Sequence, residues 1–180
     1  MSQERYSLAV IFANSRMLRI LGQSTSCACA KYPPLELSRD QIDKRIKATK
    51  NILRHLDLRG ESPKGHSLFQ CKSCKQFWQL SNAWNWGGKN YLFKVPDIET
   101  SDWIDNPYIS PADMTIYSAS MEEYFRKNKF KESDNACKIE NCNKKSLSNN
   151  VLCKEHFIES LQKIGLLPQR PQGRMFAPYI

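Results

Sequence analysis

Seven cysteines and one histidine are spaced along this chain in two groups that could bind metal ions. The downstream group has the pattern C-x4-C-x10-C-x2-H, and the upstream group combines a C-x-C with a C-x2-C. The downstream donors are Cys137, Cys142, Cys153 and His156, and the upstream donors are Cys27, Cys29, Cys71 and Cys74. Thiolates and imidazoles are the usual ligands of Zn²⁺, and four of them close its tetrahedral shell. The spacing therefore predicts two structural zinc ions, neither with an open coordination position.

The upstream group is assembled by elimination, because only its C-x2-C pair is local. Cys71 and Cys74 gain two further thiolates if Cys27 and Cys29 fold back onto them across the intervening chain. His66, five residues before Cys71, is an alternative ligand, and the choice between it and a cysteine stays open. A redox-active C-x2-C is a further alternative. Redox pairs usually begin a helix, whereas the segment after Cys74 has the pattern of a strand, which favours zinc.

The downstream group resembles a treble-clef zinc finger over residues 137–164. Short strands are predicted at 145–147 and 151–152, around a polar turn. Cys153 and His156 are three apart, which places both on the first turn of a following helix. The resemblance implies a zinc knuckle, a hairpin and a helix that supplies the last two ligands. HNH nucleases share this fold, but their catalytic histidine pair and asparagine have no counterpart here.

Upstream of these motifs, residue periodicity predicts a long helix and a sheet. Ser38 and Gln41 have the spacing of a capping box, and apolar residues at helical spacing continue the helix to Arg59, where Gly60 ends it. Three apolar runs predict strands, and the C-x2-C lies in the turn between the first two. These runs are 68–70, 77–80 and 91–95.

The remaining segments complete an α+β chain. Residues 97–113 are acidic and contain two prolines, which predicts a loop, and Ser120 with Glu123 predicts the start of another helix. The expected architecture is a small zinc-stapled domain with a zinc-knuckle sheet and a C-terminal treble-clef-like module. Three regions are predicted: an α+β domain at 1–130 with its zinc knuckle at 71–74, the zinc module at 131–165, and an extended C-terminal arm at 166–180.

The composition is that of a soluble protein rather than a membrane or disordered one. Hydrophobic residues make up 41% of the 180 residues, and no apolar run approaches the roughly 20 residues of a membrane-spanning helix. The apolar run at 8–13 is short and is soon followed by Arg16 and Arg19, so it is predicted to be a core element rather than a signal peptide. We therefore expect a cytoplasmic protein whose reduced thiols bind metal rather than form disulfides.

The formal charge of +9 favours an acidic partner, either a protein surface or a nucleic acid. The candidate partner-binding residues are the basic face of the long helix and two tryptophans: Lys44, Lys47, Lys50, Arg54, Trp84 and Trp86. Because the tryptophan-rich middle of the chain is not basic, an acidic protein partner is favoured over DNA or RNA. The sharpest form of this hypothesis is a bacterial immunity or antitoxin protein, and the alternative is a basic zinc-finger protein that binds nucleic acid.

No set of residues in the sequence predicts an active site. Both metal groups are complete, so neither leaves a coordination position for a substrate or a catalytic water. The chain also has no glycine-rich phosphate loop and no serine elbow. We therefore expect a binding protein rather than an enzyme. Its oligomeric state is left open by the sequence.

Overall fold

The computed structural model describes residues 27–34 and 38–177. These residues form an α+β structure with one four-stranded sheet, one two-stranded sheet and four α-helices. The predicted core element at 8–13 and the last three residues of the predicted arm lie outside the described residues. No helix in the described part of the chain has both the length and the apolar character needed to cross a bilayer.

Helix α1 (Arg39–Leu53) begins where the capping box predicts and ends earlier than predicted. The Ser38 hydroxyl accepts a hydrogen bond from the Gln41 backbone N–H, and the Gln41 side chain accepts one from the Ser38 N–H. The prediction that this helix continues to Arg59 is wrong, because Leu56–Glu61 form strand β1 instead. Pairing with the next strand satisfies the β1 backbone and buries the Leu56 side chain, which outweighs the helical spacing of its apolar residues.

Gly60 lies within β1 and does not end a helix. It sits at the irregularity in the pairing of β1 with its neighbour, and a Cβ at this position would lie 2.9 Å from Thr100 Cγ2. The glycine thus allows the helix that begins at Thr100 to pack closely against the strand.

The four-stranded sheet is an antiparallel meander in the order β1-β2-β3-β4. Its remaining strands, β2 (Ser67–Cys71), β3 (Phe77–Ala83) and β4 (Lys89–Val95), contain the three predicted runs and confirm them. Helix α1 packs on β4. The main core lies between the sheet and the helices, and its fully buried members include Ile42, Leu68, Tyr91, Phe93 and Trp103.

The segment predicted to be an acidic loop contains helix α2 (Thr100–Asp105) and the start of helix α3 (Pro111–Lys127). Trp103 is fully buried and anchors α2 to the core together with the partly buried Ile104, although Asp102 and Asp105 on either side are exposed. Helix α3 starts at Pro111 rather than at Ser120, with the Ser110 hydroxyl accepting a hydrogen bond from the Ala112 N–H. Proline suits the first helical position because it has no N–H to leave unpaired.

The downstream region consists of β5 (Glu132–Ala136), β6 (Lys145–Leu147) and α4 (Lys154–Lys163). Strand β6 is as predicted, but it pairs with β5 rather than with residues 151–152. Those two residues are not a strand, although the Leu147 N–H still donates to the Leu152 carbonyl.

The end of the described chain packs onto the main core. Phe176 is buried, and its ring centroid lies 5.2 Å from that of Tyr108. Backbone hydrogen bonds join Arg174 to Pro107 and to Ile109. This part of the predicted arm therefore contributes apolar contacts to the larger fold.

Candidate metal centres

The structure brings the eight predicted donors together in two groups of four. Within each group, the potential ligand atoms all lie within 4.8 Å of one another. One group is Cys27, Cys29, Cys71 and Cys74, and the other is Cys137, Cys142, Cys153 and His156. His66 belongs to neither group among the described residues, which favours the four-thiolate form of the upstream centre.

The upstream centre joins two parts of the chain that are distant in sequence. Cys27 and Cys29 flank the start of a short 3₁₀ helix at Ala28–Lys31, whereas Cys71 ends β2 and Cys74 lies in the turn before β3. Cys29 and Cys71 are buried and Cys74 is exposed. An ion here would fasten the first described segment to the sheet.

The turn of the C-x2-C is arranged to favour a thiolate. Burial opposes ionisation of Cys71, but the backbone N–H groups of Cys74 and Ser73 point at its sulfur, and the net effect lowers its pKa to about 7. Burial, and then hydrogen bonding with Cys71, raises the pKa of Cys29. The thiolate is the metal-binding form of cysteine, so the turn is prepared for a cation at the Cys71 sulfur.

Two cationic side chains lie over the ring of Trp78, which packs against Cys29 and Cys71. The Arg45 guanidinium carbon lies 5.1 Å from the centre of the Trp78 ring, and the Lys94 Nζ lies 5.7 Å from it. Trp78 is fully buried, and its Nε1 has no hydrogen-bond partner among the described residues. Because four thiolates and one Zn²⁺ carry a net negative charge, these groups complement a loaded site.

The downstream centre has the dimensions of a tetrahedral site. The His156 Nδ1 lies 3.3 Å from the Cys137 Sγ and 3.4 Å from the Cys153 Sγ, and the Cys142 and Cys153 sulfurs are 3.9 Å apart. Ligands at normal zinc bond lengths are about 3.3–3.8 Å apart along a tetrahedral edge. A Zn²⁺ ion therefore fits these four donors.

Local backbone geometry positions the downstream donors. Cys153 is the N-cap of α4, which places His156 on the first turn, as predicted. The Cys153 N–H donates to the Cys137 Sγ at 3.2 Å. Burial raises the pKa of Cys137, but the N–H groups of Ile139 and Cys153, together with His156, lower it to about 6. The knuckle thus favours the Cys137 thiolate before any ion binds.

The predicted partner-binding residues fall into two groups. Lys44, Lys47, Lys50 and Arg54 are exposed on one face of α1 and at its C-cap, and Lys47 pairs with Asp43 at 2.6 Å. Trp84 is 75% exposed at the tip between β3 and β4. Trp86 is half-buried, and the Arg39 guanidinium stacks on its ring at 4.8 Å. Of the two tryptophans, Trp84 thus presents more surface to a partner.

Arg45 and Lys94, which lie over the Trp78 ring, are not among the site residues predicted from the sequence. Arg45 shares the buried face of α1 with Ile42, Thr49 and Ile52, at helical spacing. An arginine on the buried face of a helix carries a charge that needs a compensating partner, and the spacing of Arg45 in the sequence could have indicated this.

Comparison with protein-family models, with curated proteins and with solved structures finds no match. The assignment of both centres therefore depends on their own geometry.

Proposed function

We propose that this chain is a binding protein without catalytic activity whose fold is held by two structural zinc ions. The observation that carries this proposal is that each centre gathers four cysteine or histidine donors at distances that suit one ion. Four protein ligands close a zinc site, so each ion acts as a cross-link and leaves no position for a substrate. The downstream knuckle and the ligand-bearing start of α4 support a treble-clef type of finger.

Protein purified without chelators should contain two zinc ions per chain, measured by inductively coupled plasma mass spectrometry. Cys74→Ser and Cys153→Ser should each reduce the content to one, because each removes a donor from a different centre. His66→Ala is the matched control and should keep two. Cobalt substitution should then give the spectrum of a four-thiolate site in Cys153→Ser and that of a three-thiolate, one-imidazole site in Cys74→Ser. Wild-type protein without zinc would contradict the proposal.

We infer that the binding function is directed at a protein partner. Several large apolar side chains are exposed, as is common where proteins associate. They are Leu58, Trp84, Phe125, Ile139, Val151, Ile164 and Leu166. Trp84 is the most exposed of them, and an aromatic anchor of this kind is typical of interface hot spots. The basic face of α1 suits an acidic partner surface, and neutralisation of a toxin by an immunity or antitoxin protein is one form of such binding.

Nucleic-acid binding is the second candidate function, and the basic face of α1 supports it. Lys44, Lys50 and Arg54 are exposed and lie on the same side of the helix. Such a row can contact successive phosphates, with an affinity that falls steeply as salt rises.

Two variants of the zinc-loaded chain should separate these functions. Trp84→Ala should reduce capture of a protein partner about tenfold or more, in line with the loss of an aromatic hot spot. The triple variant Lys44→Glu, Lys50→Glu, Arg54→Glu should weaken capture mainly at low salt. Fluorescence anisotropy with labelled duplex DNA and single-stranded RNA at about 0.15 M salt should show no tight complex. A tight, salt-sensitive complex that the triple variant abolishes and Trp84→Ala leaves intact would favour nucleic acid instead.

A further inference from the structure

A cavity of about 320 Å³ opens beside Trp84, and none of the residues that line it is a metal donor. Its walls come from four segments: the β1–β2 turn, the tip of the β3–β4 hairpin, the residues before and within the start of α3, and the proline-containing segment after α4. The side chains that give it chemical character are those of His66, Trp84, Tyr108, Asp113 and Tyr117. This volume is within the range of sites that bind small organic groups.

The side chains that line the cavity carry a net negative charge, opposite to that of the chain, although the charge of Arg174 reaches Tyr108 in its wall. The chain carries a formal charge of +9, yet none of the described residues that line the cavity is a lysine or an arginine. Asp113 is the one carboxylate in this lining. The imidazole of His66 adds no positive charge near neutral pH, because burial and then the charge of Lys64 lower its pKa.

Asp113 lies in the wall of the cavity without a polar partner among the described residues. It lies in the first turn of α3, where the helix dipole favours a negative charge. Its carboxylate forms no hydrogen bond or ion pair with any residue in the described part of the chain. Burial alone raises its pKa. A desolvated carboxylate without a partner costs free energy, and a bound cation would offset that cost.

Two further observations show that the walls are built rather than adventitious. The backbone N–H and C=O of Tyr108 are both hydrogen-bonded to the buried Gln79 side chain, which fixes one wall. The His66 Nδ1 is buried and has no hydrogen-bond partner among the described residues. His66 lines the cavity, but this buried nitrogen is not exposed to it, so the accessible charged group in the lining is the carboxylate of Asp113.

We propose that this cavity binds an alkylammonium group, with Asp113 as its counter-ion and the Trp84 ring as a cation–π platform. An ammonium on an alkyl chain suits both features, because the chain contacts aromatic and proline surfaces while the charge meets the carboxylate. This ammonium site is separate from both metal centres, since none of its residues is a metal donor, and it adds a ligand to the proposed binding function. A lysine side chain of a partner and a free amine present the same chemistry here.

Binding can be tested on the full zinc-loaded chain with n-butylammonium chloride as the probe and n-butanol as its neutral counterpart. In ¹H–¹⁵N correlation spectra at constant ionic strength, the ammonium should shift the Trp84 indole and α3 amide signals saturably, and butanol should not. Asp113→Asn should weaken binding about tenfold or more, and Trp84→Ala about threefold or more. Asp105→Asn, which removes an exposed carboxylate at the end of α2, should bind as wild type.

The outcomes distinguish this site from the zinc-stabilised fold. Zinc content and circular dichroism, measured on the same samples, should be unchanged in Asp113→Asn, because its carboxylate has no hydrogen bond or ion pair with the described residues to lose. Equal binding of butanol, equal binding by Asp113→Asn, or no saturable shift would overturn the proposal while leaving the zinc assignment intact. Tighter binding of Nα-acetyl-lysine methylamide than of butylammonium would identify a polypeptide lysine as the source of the cation, and the reverse order a free amine.

Discussion

Replacing Cys153 with serine should unfold the downstream zinc module while the four-stranded sheet stays folded. The reason is that this module has little apolar burial of its own. Helix α4 has no fully buried residue, and the exposure of β5 is high along most of its length. A structural zinc ion contributes on the order of 10 kcal/mol to a unit of this kind, far more than any single contact within it. Cys153 is 1% exposed and contacts both His156 and Cys142, so no other donor can take its place.

Hydrogen–deuterium exchange resolved by peptide should measure this effect. In Cys153→Ser, peptides that cover 132–163 should lose their protection, whereas peptides from β2, β3 and β4 should keep theirs. Cys74→Ser is the reciprocal control, because it removes a donor from the upstream centre and should leave the downstream peptides protected. Full protection of α4 in Cys153→Ser, or in wild-type protein stripped of zinc, would contradict a structural role for the metal.

The donors of the downstream centre could be predicted because their positions are set by local geometry. Cys153 and His156 lie three residues apart at a helix start, and that spacing alone brings their side chains to one side. Cys137 is fixed by the turn that follows β5. The upstream centre depends on a contact between segments distant in sequence. It could be predicted only by elimination: once the downstream cysteines are assigned, Cys27 and Cys29 are the cysteines left to join Cys71 and Cys74.

Elements whose identity depends on tertiary contacts were less predictable. Leu56 lies on the helical stripe of α1, but it belongs to a strand because β2 offers it a hydrogen-bonding partner. Helix α2 was not predicted, because the acidic residues near Trp103 indicated a loop. Complete burial of the Trp103 side chain holds this helix on the core. Asp113 is the last residue of the segment predicted to be an acidic loop, and only the packing of separate segments places it in a cavity wall. Sequence periodicity does not contain this information.

The buried hydrogen-bond network of the Gln79 side chain could not be predicted from the sequence. Gln79 occurs in a strand-like run with nothing to mark it, yet its side chain is fully buried and joins three elements. Its Oε1 accepts hydrogen bonds from the Trp103 indole N–H at 2.8 Å and from the Tyr108 N–H at 3.0 Å. Its Nε2 donates to the Tyr108 carbonyl at 2.7 Å and to the Ser81 hydroxyl at 3.0 Å. One amide thus satisfies the polar groups that α2 and the start of α3 bring into the core.

Gln79→Met should therefore destabilise the protein by about 3–5 kcal/mol, although methionine has nearly the same volume. The substitution leaves the Trp103 Nε1 and both backbone groups of Tyr108 buried without partners, and each such group costs about 1–3 kcal/mol. Urea unfolding of the zinc-loaded protein, followed by tryptophan fluorescence, would measure the loss. Gln70→Met is the matched control, because Gln70 makes one exposed hydrogen bond, to the Lys75 carbonyl, and its loss should cost below about 1 kcal/mol. Equal effects of the two substitutions would contradict the role of the Gln79 hydrogen bonds in holding α2 and the segment before α3 on the sheet.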